Sequence, residues 1–396
     1  MTFESTDAAP VIAAAAASDP DRWRRARGAT RVQFAALGFM AGAWGVHVPS
    51  VKAAYALNDI ELSGVLFAAA AGAVLSLFGA GRVIARMGAR RTAMVAAIAM
   101  GSLLAAVLGW PDLALLLPAM VLFGAAMSLF DVAINAEGTA LESLVGRAIM
   151  SNLHAMFSVG AMAGAASTGV LLRIGIAPLV QLAGIGLVVA GIAAWAARAM
   201  LDAHPVDDGT GPGAHFAWPR GLLLAIGLMI FAGMSAEGAM YDWCVLYLKQ
   251  ELGTTQHAAA IGYAAFTGAM AAARFAGDAA RARWREPKLL QASAGLAAVA
   301  MTIVLLSAHP LVAIAGYALV GIGLAPVVPI LFNAATHVPG PSRAAAIAAV
   351  SSVGYAGFMI GPPLIGSIAQ GVSLTAAMFV VVVAAALLAF GARRLP

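Results

Sequence analysis

Charge is what this sequence has least of. Asp, Glu, Lys and Arg together make up 10% of its 396 residues, against about 25% in a typical soluble domain. That deficit argues against an ordinary water-facing globular surface. Cysteine is nearly absent as well: Cys244 is the single one, so no internal disulfide can form. No glycine-rich loop ends in Lys-Ser or Lys-Thr, which argues against ATP as a direct energy source. No Cys/His cluster has the spacing of a structural metal site, and no Ser-His-Asp arrangement stands out, so the chain does not read as an enzyme. The net charge of +5 is spread over short segments rather than gathered into a basic domain, which gives no sign of nucleic-acid binding. The apolar runs are continuous rather than alternating, which argues against a transmembrane barrel. A cleavable signal is not expected, because Glu4, Asp7, Asp19 and Asp21 are acidic and the apolar run 11–17 is short.

What the sequence has in abundance is apolar length. Hydrophobic residues make up 62% of the chain, and its mean hydropathy is +0.90. A helix needs ~20 mostly apolar residues to cross a bilayer. Twelve such runs can be read, at 32–51, 62–85, 92–110, 113–140, 148–172, 176–198, 220–247, 257–280, 289–308, 311–333, 344–369 and 373–391. The expected fold is an all-α membrane protein of twelve transmembrane helices. Basic residues test the threading, because they gather on the cytoplasmic side. With the N-terminus inside, only Lys52, Arg173 and Lys249 fall in outer loops and Arg274 falls within a span. The rest of the 23 Lys and Arg lie on the inner side. Both termini are therefore expected in the cytoplasm, with the chain in a bacterial-type inner (plasma) membrane.

Residues 1–30 read as a cytoplasmic tail. The segment 201–219, with His204, Pro205, Asp207, Asp208, Gly209 and Pro212, reads as a linker between a six-helix half at 31–200 and another at 220–396. The halves repeat weakly. A shift of 198 residues lays Gly64 on Gly262 and Asn135 on Asn333, and a shift of 194 lays Ser158-Val-Gly160 on Ser352-Val-Gly354. Two pseudo-symmetric halves with a binding site at their interface are the usual logic of secondary transporters.

Against this apolar background the embedded polar groups carry the information. Asp131 lies deep in the fourth span, ~14 Å from its cytoplasmic end at 1.5 Å per residue. An Asp at a helix centre costs roughly 2.5–3.5 kcal/mol on insertion scales. Asn135, four residues on, shares its face. A carboxyl that exchanges a proton in step with solute binding fits that place; an Asp–Asn pair that only tightens packing is the alternative. Glu237, near the middle of the seventh span and in a stripe with Tyr241 and Cys244, is a second proton-coupling candidate. His154, at a similar depth in the next span along from Asp131, is a third, as the other half of an Asp131–His154 pair. Trp44, His47, Asn135, Tyr241, Asn333 and Tyr355 are candidate substrate contacts, being polar-tipped residues on spans expected near a central cavity. Gating is expected of Arg86 and Arg90 with Glu137, of Asp242 toward the outside, and of Arg274 with Asp278, which are four apart and form a local ion pair on this reading. Glu142 is expected to pair with loop arginines as Glu137 does. The glycine pairs Gly38/Gly42, Gly160/Gly164 and Gly357/Gly361 are spaced for close helix packing. Those of the fifth and eleventh spans stand at equivalent places, suited to rocking contacts.

The loop after the second span reads Gly81-Arg-Val-Ile-Ala-Arg86-Met-Gly88-Ala-Arg90-Arg91. It resembles the signature of the major facilitator superfamily, with Ala85 where that signature has Asp. The matching loop of the second half has Arg274-Phe-Ala-Gly277-Asp278. Within the superfamily three stretches resemble the fucose-permease-like branch and its bacterial relatives. They are Asp131-x-x-x-Asn135, Asn152-Leu-His154-x-x-Phe157-x-x-Gly160, and Glu237-Gly-Ala-x-x-Asp242-Trp243-x-x-x-Tyr247-Leu. The branch carries Glu in place of Asp131 and an acid in its first span, where this chain has Trp44 and His47. The resemblance implies the major facilitator fold and alternating access, with proton-coupled uptake of a small polar solute such as a sugar or related metabolite. It implies no cofactor beyond a proton gradient, and as partners only the solute, protons and the lipid bilayer, for a monomer. The rival within the class is proton-driven efflux of amphipathic compounds, to which Met127, Met156, Met234 and Phe157 are suited.

Overall fold

The computed structural model describes residues 20–145, 149–201, 220–340 and 343–395. Most of the expected tail and nearly all of the expected linker lie outside the described residues, as do the side chains of Asp278 and Arg343. Thirteen α-helices follow in order: α1 (Pro20–Ala54), α2 (Asp59–Met87), α3 (Ala89–Ala106), α4 (Leu113–Val145), α5 (Met150–Arg173), α6 (Pro178–Ala197), α7 (Gly221–Gln250), α8 (Gln256–Arg283), α9 (Glu286–Ser307), α10 (Pro310–Leu324), α11 (Val327–Thr336), α12 (Arg343–Gly371) and α13 (Leu374–Gly391). No strand occurs among them. α1 begins well ahead of residue 31, so the last part of the expected tail is helix. The expected tenth span is broken in two around Pro326, which sits between α10 and α11.

Local chemistry sets the ends. Asn58 caps α2 reciprocally: its side chain accepts from the Glu61 N–H at 2.9 Å and the Glu61 carboxylate accepts from the Asn58 N–H at 2.9 Å. Thr255, His309 and Ser373 cap α8, α10 and α13 in the ordinary way, each through a side-chain acceptor. Gly88, at φ 78°, makes the tight turn from α2 to α3.

Eleven runs among the described residues are long and apolar enough to cross a membrane, with α10 and α11 counted as one. α8 makes the twelfth. It matches its neighbours in length but carries Arg274, Asp278, Arg281 and Arg283, and it packs most extensively on α5 and α10. The two halves repeat their packing. α1 lies on α5, α2 on α4, and α3 on both α4 and α6. Correspondingly, α7 lies on α12, α8 on α10, and α9 on both α10 and α13. The fold is thus twelve transmembrane helices in two six-helix halves.

Glycines let α1 and α5 touch backbone to backbone. A Cβ on Gly38 would stand 1.9 Å from the Phe157 carbonyl oxygen, and one on Gly164 2.2 Å from that of Phe39. In the other half a Cβ on Gly357 would stand 2.5 Å from the Phe231 oxygen of α7. Gly160/Gly164 and Gly357 are therefore contacts inside each half, not rocking contacts between halves. Among the described residues, the glycines that do meet the opposite half are Gly45, against Tyr263, Gly169, against Ala260, Gly268, against Met162, and Gly366, against Ser63 and the Asp59 carbonyl.

Candidate functional site

The helices alternate in direction, so the arginine-bearing ends of α1, α2, α8 and α13 share one end of the bundle. Among the described residues, hydrogen bonds between the halves lie away from that end or near the middle. At the far end Gln256 of α8 donates to the Val46 carbonyl and to Ser50 Oγ, both at 2.8 Å. Lys52 reaches Gln250 at 3.3 Å, and Gln370 accepts from the Asp59 N–H at 3.2 Å. Tyr263 donates to the Ala41 carbonyl at 3.3 Å. The innermost is Arg274 Nη1 to Ser158 Oγ, at 2.7 Å. One turn closer to the arginine-rich end, His154 is on the same side of α5 yet exposed. Among the described residues, the hydrogen bonds that join the halves therefore run from the far end as far as Ser158 and none is found below it.

On α4, Asn135 Nδ2 donates to Asp131 twice, to its backbone oxygen at 2.9 Å and to Oδ1 at 3.0 Å. Both residues are half-buried. Tyr355 of α12, half-buried, stands within electrostatic range of Asp131. Three predicted residues, two from one half and one from the other, are thus within electrostatic range of one another.

A second group forms around α7. Arg274 Nη2 meets Glu237 Oε1 at 3.2 Å, and both side chains are mostly buried. The Tyr241 hydroxyl interacts with both charges. Its ring packs on Phe157, Tyr263 and Phe266 with centroids 6.4, 5.9 and 5.5 Å away. The expected local pairing of Arg274 with Asp278 falls on a side chain outside the described residues; the ion pair described for Arg274 is the one with Glu237. A guanidinium placed this deep needs a counter-charge at its own depth, and its long stem reaches Glu237 on the neighbouring helix. Asp242 is half-buried and near Tyr263 and Cys244, and carries no ion pair among the described residues.

The expected Asp131–His154 pair is not formed. The His154 ring meets Phe34 of α1 edge-on at 5.3 Å, and its charged neighbour is Arg274. Although α4 and α5 are consecutive, each packs on α1 far more than on the other, and α1 holds them apart. His47 is no cavity residue either. It is fully buried, with Nδ1 3.0 Å from Ser50 Oγ and Nε2 3.2 Å from Gln181 Oε1. An amide oxygen only accepts, so Nε2 carries the proton and Nδ1 accepts from Ser50. Trp44 is nearly buried and packs against Phe123 at 5.7 Å.

Asn333 belongs to the arginine-rich end. It donates to Glu286 Oε2 at 2.8 Å, and Arg281 holds the other carboxylate oxygen at 2.7 Å. Asn333 and Glu286 line a shallow cleft of about 320 Å³ with His337 and Leu395, and Asp131 is not part of it. At the same end Arg86 is exposed and Arg90 half-buried. Glu137 is fully buried and accepts from the Leu201 N–H at 2.8 Å. Glu142 accepts from Ile149 and Met150 N–H at 3.0 and 3.1 Å, capping α5 rather than pairing with an arginine in those bonds. Sequence reasoning missed Ser158, Ser50, Gln181, Gln256 and Glu286. The lone amide of Gln181 in the apolar α6 was a usable signal; Ser158 gave none. Among the described residues no three His, Cys, Asp or Glu are grouped to hold a metal ion.

Two six-helix bundles that repeat their packing and are hydrogen-bonded to each other away from the arginine-rich end fit a multi-pass membrane transporter. The sequence profile of the Major Facilitator Superfamily matches residues 32–342 and 226–396, and the chain belongs to that family. It is 33% identical over 350 residues to an uncharacterised MFS-type transporter of Yersinia pestis, covering 88% of this chain and 90% of the relative. It is 35% identical over 362 residues to the membrane protein MosC of Rhizobium meliloti, covering 89% and 86%. Among solved structures it is similar to the E. coli fucose:proton symporter FucP, with TM-score 0.64, 15% identity and coverage of 93% of this chain and 97% of that one. The nucleoside transporter NupG matches with TM-score 0.68, 14% identity and coverage of 92% and 98%.

Proposed function

We propose that the chain is a proton-coupled carrier that takes up a small polar solute, such as a sugar or related metabolite, by alternating access. The observation that carries this reading is the half-buried Asp131–Asn135 pair in the membrane-spanning α4, within electrostatic range of Tyr355 of the other half. In this reading Asp131 holds the coupling proton. Asn135 and Tyr355 offer hydrogen bonds to the solute, and the aromatic faces of Tyr241 and Trp44 line its path. The carrier works as a monomer with both termini in the cytoplasm, so the open end faces the cell interior. The likeness to a fucose:proton symporter and a nucleoside transporter supports a hydroxyl-bearing solute. Half-buried Met127 and Phe157 favour the second reading, efflux of amphipathic compounds.

The test is transport by purified protein in proteoliposomes under an imposed pH gradient, against a panel of sugars, nucleosides, organic acids and dyes. Gradient-driven accumulation of a polar solute is expected, and gradient-driven export of the dyes alone would select the second reading. Asp131→Asn is expected to abolish accumulation while leaving solute exchange. Unchanged concentrative uptake in that variant would remove Asp131 from the mechanism.

A further inference from the structure

Arg274 touches both halves of the molecule at once. Its Nη2 pairs with Glu237 on α7, inside its own half, at 3.2 Å. Its Nη1 donates to Ser158 on α5, in the other half, at 2.7 Å. Ser158 is fully buried, Glu237 nearly so, and the guanidinium is mostly withdrawn from solvent. This is also the innermost hydrogen bond between the halves among the described residues, and immediately below it His154 is exposed.

We propose that Arg274 is the residue through which the protonation state of Glu237 is passed from α7 to the opposite half. The physical argument concerns what holds the guanidinium in place. With Glu237 ionised, the charges compensate each other in a low-dielectric setting, and Arg274 is fixed where it makes a short, charge-assisted bond to Ser158. With Glu237 protonated, the guanidinium has lost its counter-ion, and a single serine oxygen does not replace a carboxylate. The arginine then turns toward water in the open cleft, and the bond across the halves is released. A proton on α7 is thereby converted into a loosened α5–α8 contact. The groups that face Glu237 are few. Arg274 and Tyr263 come from α8, Tyr241 from its own helix, and His154 from α5 behind Arg274. Arg274 is the only fixed positive charge among them.

The proposal rests on the proton-coupled reading, and the experiment separates the two. Spin labels are placed at exposed positions on the arginine-rich end of each half, through Arg91→Cys and Arg283→Cys in a Cys244→Ser chain. The distance distribution of the full-length protein in lipid nanodiscs is followed from mildly alkaline to mildly acidic pH. Acid is expected to move the parent chain from long toward short distances, as the inner end closes. Glu237→Gln is expected to enrich the short population at every pH and to lose the pH response. Ser158→Ala removes one hydroxyl and should survive folding; it is expected to enrich the short population about tenfold at alkaline pH, the effect of losing one charge-assisted bond. A Glu237→Gln chain with the parent distribution and the parent pH response would overturn the proposal. If gradient-driven uptake persists in that case, the proton-coupled reading stands without it. If Asp131→Asn and Glu237→Gln both keep gradient-driven uptake, the proton sites of that reading fail as well.

Discussion

The duplication builds the same seam between the halves twice, as α2 on α12 and as α5 on α8, and the two copies have diverged. The α2–α12 seam is neutral and held near the far end. Gly366 brings its backbone against Ser63 and the Asp59 carbonyl, and Gln370 accepts one backbone N–H. The α5–α8 seam reaches further in. Gly169 meets Ala260, Gly268 meets Met162, and Arg274 then joins Ser158 roughly 12 Å along α5 from its start, at 1.5 Å per residue. One seam parts by giving up close packing and a neutral bond, while the other must also rearrange a charged one. Related halves therefore need not separate symmetrically.

The largest effect is expected where the charged seam is broken. Arg274→Ala leaves Glu237 buried without its counter-ion and should cost about 3–5 kcal/mol of stability. Arg274→Ala/Glu237→Ala should recover most of that loss, and unfolding titrations of both chains in mixed micelles check it. A single variant no less stable than the parent would show that the pair does not hold this seam. A smaller effect is expected at the neutral seam. A Cβ at Gly366 would stand 2.3 Å from the Ser63 Cβ, so Gly366→Leu should weaken closure of the far end by about 1–3 kcal/mol, as overpacking does. Cross-linking between cysteines at Ile60 and Gln370 should fall severalfold, and an undiminished yield would mean that the seam tolerates bulk. The smallest effect is expected from Gln256→Ala, which removes two neutral hydrogen bonds to α1 worth about 1–2 kcal/mol together. Hydrogen exchange around Ser50 should rise; if it does not, the amide is dispensable to closure.

Much of the architecture was legible because it follows from one-dimensional patterns. Apolar run length gave the spans, and the 3.6-residue period put Asn135 over Asp131, where the structure forms both bonds. The glycine spacing of Gly38/Gly42 and Gly160/Gly164 foretold close packing but not which helices would meet. What could not be read was three-dimensional neighbourhood. His154 missed Asp131 because consecutive helices are separated here by α1. Asn333 went to Glu286 because the break around Pro326 places it on α11, beside the start of α9. Arg274 found a partner 37 positions away, because a charge buried at that depth draws a counter-charge from the neighbouring helix.

The backbone contact of α1 with α5 has a mechanical consequence. Two helices whose carbonyls sit in each other's glycine notches cannot slide or flex independently, so together they act as a stiff lever. Ser158 lies at one place along that lever, and Ser50, with its bond to Gln256, lies near the other end. A displacement that begins when Arg274 lets go is therefore delivered to the far closure without being absorbed on the way. A tether midway along the lever and a latch near its outer end, both to α8, then work in series: the rotation that frees one moves the other, and a bulky side chain in any of those notches would let the lever bend and cut the two apart.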